Sequence, residues 1–368
     1  MGLYDFTFYD LINRNAFCYK EKEAWFEADN HRTLTFIQYK DRVDRLACGL
    51  RESGLKKGDR MAVLGLNSLE YFLLFGAAAA LGSIVVPINW RLSDKEVAYN
   101  LNDCEPKILF VDKAYQGLIE GMKKELSSVK KFFGLDQAGG MFLPFDPLMD
   151  NRGEDQLEDV STDDGFLIIY TAAVAGRPRG ALLSHGNVLL ADMQFDYYLN
   201  LTPDDVYLSA VPLFHVGGLF MTTTSFHAGA TNVNISRFDP AKAVALIEEK
   251  QVSLMMVFTP MLTSIFEEHE KTGKAIRSLR AMNGIETPEN IEKYQEITEG
   301  TFWSMYGQTE VSCVATYGRY SDRPGSAGKT IPLAEVRLVD DYDRPVPVGK
   351  VGEIIEGPDG LQGVLESS

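Results

Sequence analysis

Two segments of the 368-residue chain combine residue types suited to handling a phosphorylated ligand. The first runs Gly165-Phe-Leu-Ile-Ile-Tyr170-Thr171-Ala172-Ala173-Val174-Ala175-Gly176-Arg177-Pro178-Arg179-Gly180-Ala181. An apolar strand enters a loop of small residues, and the loop leaves through a basic turn. Small residues let successive backbone N–H groups converge on phosphate oxygens, and Arg179 supplies a permanent positive charge. An ordinary tight strand-to-strand loop carries the same local pattern. The second segment is Ser304-Met305-Tyr306-Gly307-Gln308-Thr309-Glu310. Tyr306 offers a ring to stack on a nucleobase, Thr309 a hydroxyl for a phosphate oxygen, and Glu310 a carboxylate for Mg²⁺, which prefers oxygen ligands. The competing reading is a helix N-terminus with Thr309 and Glu310 in its first turn.

His185, His215 and His227 lack metal-ligand spacing, and no carboxylate cluster accompanies them. Ser184 is a plausible N-cap for a helix running to Tyr198, which makes His185 structural.

The order of motifs resembles the adenylate-forming superfamily of acyl-CoA synthetases, luciferases and peptide-synthetase adenylation domains. The phosphate-loop segment comes first, then Pro-Leu-Phe-His-Val-Gly-Gly at 212–218, then Tyr-Gly-x-Thr-Glu at 306–310. Gly54 to Arg60, Asn67, Pro87 to Leu92, Gly325 to Gly328 and Gly352-Glu353 also fit, so the resemblance covers nearly the whole chain. It implies an ATP-, Mg²⁺- and coenzyme A-dependent ligase that activates a fatty or aromatic carboxylic acid as an acyl adenylate. It further implies a nucleotide site formed by Thr171 to Gly176, Gly284-Ile285-Glu286 and Tyr306 to Thr309. Glu310 would hold the metal, with Thr309, Arg179 and His215 in the reaction centre. Phe214, His215, Val216, Gly217 and Gly218 would form the acyl pocket. His215 reads equally as a satisfied core histidine, and Phe220 and Phe226 as acyl-tunnel or packing residues. An amino-acid substrate is disfavoured, because His215 follows Phe214 where an Asp would pair the amino group.

Two departures stand out. The family loop is usually Tyr-Thr-Ser-Gly-Thr-Thr-Gly-x-Pro-Lys-Gly, whereas Ala172, Ala173, Val174 and Ala175 replace its Ser, Gly, Thr and Thr, and Arg179 replaces its Lys. Weaker ATP binding is the direct expectation, and a non-catalytic nucleotide- or acyl-binding homologue is the alternative function. The family pattern also continues past Gly357-Pro358 to a Gly-Asp signature, a hinge and a small domain carrying a Lys. The sequence ends at Ser368, so a truncated chain without the small C-terminal domain, inactive alone in thioester formation, is expected.

The elements that must position these residues follow from periodicity. Phe36 to Ser53 shows helical spacing in Tyr39, Val43, Leu46 and Leu50, and a turn follows at Gly54 to Asp59. Strand patterns at Arg60–Leu66, Ile84–Ile88 and Lys107–Val111 alternate with helical ones, including Lys95–Asn102. After an acidic, linker-like stretch from Asp150 to Asp164, strands are predicted at 165–170, 206–210, 230–233, 254–258 and 301–305, with a helix at 240–250. Beyond Gly325 short β segments appear at 335–339 and 352–356. The fold class is α/β: a first subdomain over 1–160, a second over 161–324 carrying both motifs, and the start of a β-barrel-like subdomain over 325–368.

Composition narrows the partners. The hydrophobic content of 45% supports a large core. The formal charge of −16 opposes nucleic acid and anionic membranes, so a nucleotide must be held locally. Tyr71 to Asn89 is uncharged, but Gly82-Ser83 interrupts it, and a buried helix feeding a buried strand fits better than a membrane span. Four scattered cysteines without a CxxC pair indicate reduced thiols and a cytoplasmic protein. Self-association as a homodimer stays open.

Overall fold

The structure is a computed structural model that describes residues 5–154, 158–171 and 177–357. The chain opens with α1 (Phe8–Cys18), β1 (Glu23–Glu27), β2 (Arg32–Thr35) and α2 (Phe36–Glu52). It continues with β3 (Arg60–Leu64), α3 (Leu69–Leu81), β4 (Ile84–Pro87), α4 (Asp94–Cys104), β5 (Ile108–Val111), α5 (Lys113–Met122) and β6 (Lys131–Gly134). Then come β7 (Gly165–Tyr170), β8 (Gly180–Ser184), α6 (His185–Leu199), β9 (Val206–Ser209), α7 (Val216–His227) and β10 (Thr231–Asn234). Next are α8 (Pro240–Lys250), β11 (Leu254–Phe258), α9 (Met261–Thr272), β12 (Ala281–Ile285), α10 (Pro288–Thr298) and β13 (Thr301–Tyr306). The short strands β14 (Thr316–Arg319), β15 (Lys329–Thr330), β16 (Glu335–Val339) and β17 (Glu353–Gly357) end the described chain.

Local signals set the helix boundaries. Thr35 and Gln38 form a reciprocal capping box that starts α2, and the buried side chains Tyr39, Val43, Leu46 and Leu50 lie on one face. Ser68 caps α3 and Gly82, at φ +60°, ends it. Being apolar all round, α3 is buried on every side. At thirteen residues it spans only about 20 Å. No helix among the described residues is long and apolar enough to cross a membrane.

Among the described residues, two large sheets organise the molecule. The six-stranded sheet has the order β6-β5-β3-β4-β7-β8, and the nine-stranded sheet β15-β14-β13-β12-β11-β9-β10-β1-β2. The smaller is parallel except for the antiparallel β7–β8 pair. The larger is parallel from β13 to β1, with antiparallel pairs at both margins. Sheet membership does not follow chain order: β1 and β2 join the larger sheet, while β7 and β8 complete the smaller one.

Alternation along each strand divides the core into layers. Met61, Val63, Val85 and Leu167 from one sheet, and Trp25, Tyr207, Met256 and Trp303 from the other, face a central layer built by α1, α2, α3, α6 and α7. The opposite faces are covered by α4 and α5 on the smaller sheet and by α8, α9 and α10 on the larger. The result is an α/β/α/β/α stack. The segment beyond Gly325 forms the β16–β17 hairpin with a bridge between Val339 and Pro345, and no closed barrel forms among the described residues.

Candidate active site

In parallel sheets, ligands bind beyond the carboxyl ends of the strands, where loops and helix N-termini converge. The carboxyl ends of β12 and β13 lie side by side, with Gly284 in register with Ser304. Their last residues, Ile285 and Tyr306, are 60% and 39% exposed. Two large side chains are thus left open to solvent where adjacent strands end, and this open strand-end surface is the slot. Gly284 permits this geometry: at φ +139° a Cβ there would lie 1.9 Å from the Val257 carbonyl oxygen on β11. Glu286 closes the slot. Its Oε1 accepts hydrogen bonds from Thr259 Oγ1 at 3.0 Å, the Thr287 N–H at 3.0 Å and Asn290 Nδ2 at 3.2 Å. Its Oε2 is buried with no hydrogen-bond partner, leaving one acceptor free.

After Tyr306 the backbone doubles back tightly. A Cβ on Gly307 would lie 2.2 Å from the Cys313 carbonyl oxygen, and the Ala315 N–H returns to the Tyr306 carbonyl at 2.9 Å. Thr309–Val311 is a single 3₁₀ turn, not the start of an α-helix. Ser312 and Cys313 then adopt φ +60° and +91°, which side chains other than glycine tolerate only at a cost. Backbone strain therefore sits directly beside Thr309 and Glu310. Thr309 is buried, and the turn packs against β8. The fold thus brings together the two segments that the sequence singled out. Glu310 has no ion-pair partner among the described residues, so its charge is available to a cation. Partial burial, together with the neighbouring Glu356 carboxylate, holds the Tyr306 phenol above its usual pKa. Burial likewise raises Glu356, and repulsion from Glu310 adds to it.

Of the predicted phosphate loop, Ala172, Ala173, Val174, Ala175 and Gly176 lie outside the described residues. Its flanks are described. The Thr171 N–H donates to the Arg179 carbonyl at 3.0 Å, and the Arg179 side chain is exposed.

A cleft of about 530 Å³ opens beside the slot. It is lined by Trp90 and Arg91 after β4, Ala210 to Pro212 with Phe214 and His215 after β9, Ser236 to Phe238 after β10, and Phe258 to Met261 at the end of β11. Asn67 ties the two sheets together here: its Nδ2 donates to the Val211 carbonyl at 2.9 Å and its Oδ1 accepts from the Leu213 N–H at 2.8 Å. Trp90 meets Phe214 edge-on at 6.0 Å, and the guanidinium carbons of Arg91 and Arg237 lie 4.9 and 4.5 Å from its ring centroid. His215 caps α7 by accepting the Gly217 N–H at 3.2 Å, and its ring meets Phe258 at 5.7 Å. It is exposed to the cleft, where the surrounding walls, and then the Arg91 charge, lower its pKa and favour neutral imidazole. Thr259 lines the cleft and donates to Glu286, so slot and cleft share a wall.

Not every expected acyl-pocket residue reaches that cleft. Val216, Gly217 and Gly218 are buried in the first turn of α7, behind the lining. A Cβ on Gly218 would lie 2.4 Å from the Pro212 carbonyl oxygen, so the glycine allows α7 to sit close against the β9 end. Phe220 and Phe226 belong to the central core, where Phe226 packs on Phe8, Phe36, Tyr39 and Phe72. Ser236, Arg237, Phe258, Thr259 and Met261 were not anticipated as site residues. Their signal was position: each lies at or just beyond the carboxyl end of a parallel strand.

The AMP-binding enzyme family profile matches residues 12–363. An indoleacetate–CoA ligase from Aromatoleum aromaticum is 32% identical over 336 residues, covering 89% of this chain and 66% of that protein. A feruloyl-CoA synthase from Amycolatopsis is 29% identical, with 90% and 66% covered. A crystal structure from Rhodopseudomonas palustris, of a protein assigned as a long-chain-fatty-acid CoA ligase, superposes with a TM-score of 0.91. It is 39% identical, with 97% of this chain and 89% of that one covered. The chain spans a little under two thirds of the length of the curated relatives it matches. With a family match running almost from end to end of the described residues, this chain belongs to the AMP-binding enzymes.

Proposed function

We propose that the protein activates a fatty or aromatic carboxylic acid with ATP and passes the acyl group to coenzyme A. The observation that carries this reading is convergence. The Ile285–Tyr306 slot, the Thr309 turn packed on β8 and the aromatic cleft meet at the carboxyl ends of the strands. In the first step a carboxylate oxygen of the acid bonds to the α-phosphorus, and pyrophosphate leaves with the electrons of the broken P–O bond. In the second, the thiol of coenzyme A adds to the acyl carbonyl, loses its proton, and expels AMP. Neither step needs a covalent enzyme intermediate, so the residues act by positioning and charge compensation. Tyr306 would stack on the base, with the Gly284-Ile285-Glu286 strand end around it, and Glu286 Oε2 is a free acceptor beside it. Thr309 and Arg179 would bind phosphate oxygens.

One carboxylate suffices for Mg²⁺ held largely by substrate phosphates and water, and Glu310 is such a group, free of a cation partner. When bound, Mg²⁺ would neutralise triphosphate charge there. Trp90, Phe214, Phe258 and Met261 give the acid apolar walls, and neutral His215 stands at the shared edge. The indoleacetate, ferulate and fatty-acid ligases among the relatives fit this substrate range. A cytoplasmic location and a homodimer complete the proposal.

The test is acid-dependent exchange between ATP and labelled pyrophosphate over a panel of fatty and aromatic acids, followed by thioester formation. Exchange with at least one acid is expected. Tight AMP binding with no exchange for any acid would instead favour the non-catalytic reading that Ala172 to Ala175 motivate.

A further inference from the structure

Helix α4, on the outer face of the smaller sheet, reaches both flanks of the phosphate segment. Tyr99 and Asp103 are one turn apart and so point to the same side. Asp103 Oδ2 accepts a hydrogen bond from Tyr170 Oη at 2.5 Å, at the end of β7. The same hydroxyl lies 3.2 Å from the Asn100 carbonyl. Tyr99 Oη donates to the Pro178 carbonyl at 3.3 Å, just before β8, and its ring lies 5.6 Å from the Arg177 guanidinium carbon. One helix face therefore fastens both flanks, at Tyr170 and at Arg177-Pro178. The residues next inside those anchors are Thr171 and Arg179, joined to each other by the 3.0 Å backbone bond. Neither Tyr99 nor Asp103 has a hydrogen bond to Thr171 or to the Arg179 side chain. Positions 172–175 carry Ala and Val, which bring no side-chain donors to hold phosphate themselves.

We infer that Tyr99, Asp103 and Tyr170 are positioning residues, through which α4 sets the placement of the Thr171 hydroxyl and the Arg179 charge against the triphosphate. The inference rests on the proposed adenylation reaction. The Tyr170–Asp103 bond is charge-assisted and short, so it is the stronger anchor. The Tyr99 bond is between neutral groups and is the weaker one. Because both anchors act on the segment that would face the β- and γ-phosphates, their loss should be felt by ATP and not by AMP.

The experiment measures binding of ATP and AMP by calorimetry, with exchange kinetics, for Asp103→Ala, Tyr170→Phe, their double variant and Tyr99→Phe. Ala suits an exposed helix position, so α4 should persist in Asp103→Ala. Thermal unfolding of each variant checks this directly. Asp103→Ala and Tyr170→Phe should each weaken ATP binding about tenfold, equivalent to one charge-assisted bond, and leave AMP affinity unchanged. The double variant should match Tyr170→Phe, because both lack the hydroxyl that carries the bond to Asp103 and the contact with the Asn100 carbonyl. Tyr99→Phe should give a smaller loss in the same direction. Equal weakening of ATP and AMP would overturn the inference and assign these bonds to general stability. Unchanged ATP affinity in all variants would overturn it too. Absence of exchange in the unmodified protein would strike at the adenylation reading itself, while the ATP–AMP difference would still report on the anchors.

Discussion

Glu27 offers the sharpest quantitative test of the packing between β1 and the rest of the larger sheet. It is 3% exposed, and its Oε2 accepts from Trp25 Nε1 at 2.7 Å and Asn234 Nδ2 at 3.2 Å. No cation pairs with it directly, since Arg32 is engaged with Glu70. Burial pushes its pKa from 4.5 up to about 7. A carboxyl whose folded pKa is raised binds its proton more tightly in the folded state. Its contribution to stability is complete below pH 4.5, and is lost progressively as pH rises through about 7. With about 1.36 kcal/mol per pKa unit, the full loss is about 3 kcal/mol. Glu27→Gln removes the titration and keeps an oxygen acceptor for Trp25 and Asn234. Urea unfolding of both proteins from pH 5.5 to 8.5 reads the difference, in which every other titrating group cancels. The variant's advantage should grow by about 2 kcal/mol over that range. A gap that does not change with pH, or a variant less stable at pH 8.5, would refute the reasoning.

Three further outcomes follow from the site. Tyr306→Ala should weaken AMP binding by about 1–3 kcal/mol in calorimetry, the range for one base–aromatic stack, and an unchanged affinity would put the nucleobase elsewhere. Glu310→Gln should cut acid-dependent exchange by about 10²–10³-fold, on the scale of losing one charge-stabilising group. AMP affinity should hold, because AMP lacks the pyrophosphate on which a metal would sit, and equal losses in both assays would make Glu310 structural. Gly284→Ala should destabilise the fold by about 2 kcal/mol or more in urea unfolding, since its Cβ meets the Val257 carbonyl at 1.9 Å. Unaltered stability would contradict that close approach of β11 and β12.

The strands at 165–170 and 254–258 and helix α8 are legible in the sequence because local signals agree there. Asp239 caps, Pro240 begins the helix, and apolar runs of strand length stand between turns. The placement of β1 was not legible. Five residues, Glu23–Glu27, pair in parallel with β10 some two hundred positions away, and only tertiary packing specifies that register. Helix α7 was equally silent: its first turn holds Gly217-Gly218 and it carries Thr222 to Ser225, all buried. Such residues have poor helix propensity, and the helix persists because its surroundings enclose it. The nucleotide segment could be read because Tyr306 to Glu310 is contiguous. The cleft is assembled from four loops, and its membership appears only when the strand order is known.

Electrostatics ties these observations together. A chain of formal charge −16 should repel a polyanion. At physiological ionic strength that repulsion fades beyond about 8 Å, so local charges decide at contact. Arg32, Arg51 and Arg280, away from the site, are each committed to a carboxylate. Arg91 and Arg237 at the cleft, and Arg177 and Arg179 beside β8, form no ion pair among the described residues, although the chain offers 52 acidic side chains. An arginine without a carboxylate partner has no ion pair to break when an anion arrives, whereas a paired one must first give up its own. The excess of acid therefore does not weaken the case for a nucleotide here. Arg14, Arg42 and Arg277, away from the site, are also without an ion pair among the described residues, so lack of a carboxylate partner does not by itself mark a site; what sets Arg91, Arg237, Arg177 and Arg179 apart is position, since they flank the two places where carboxylate and phosphate groups would enter.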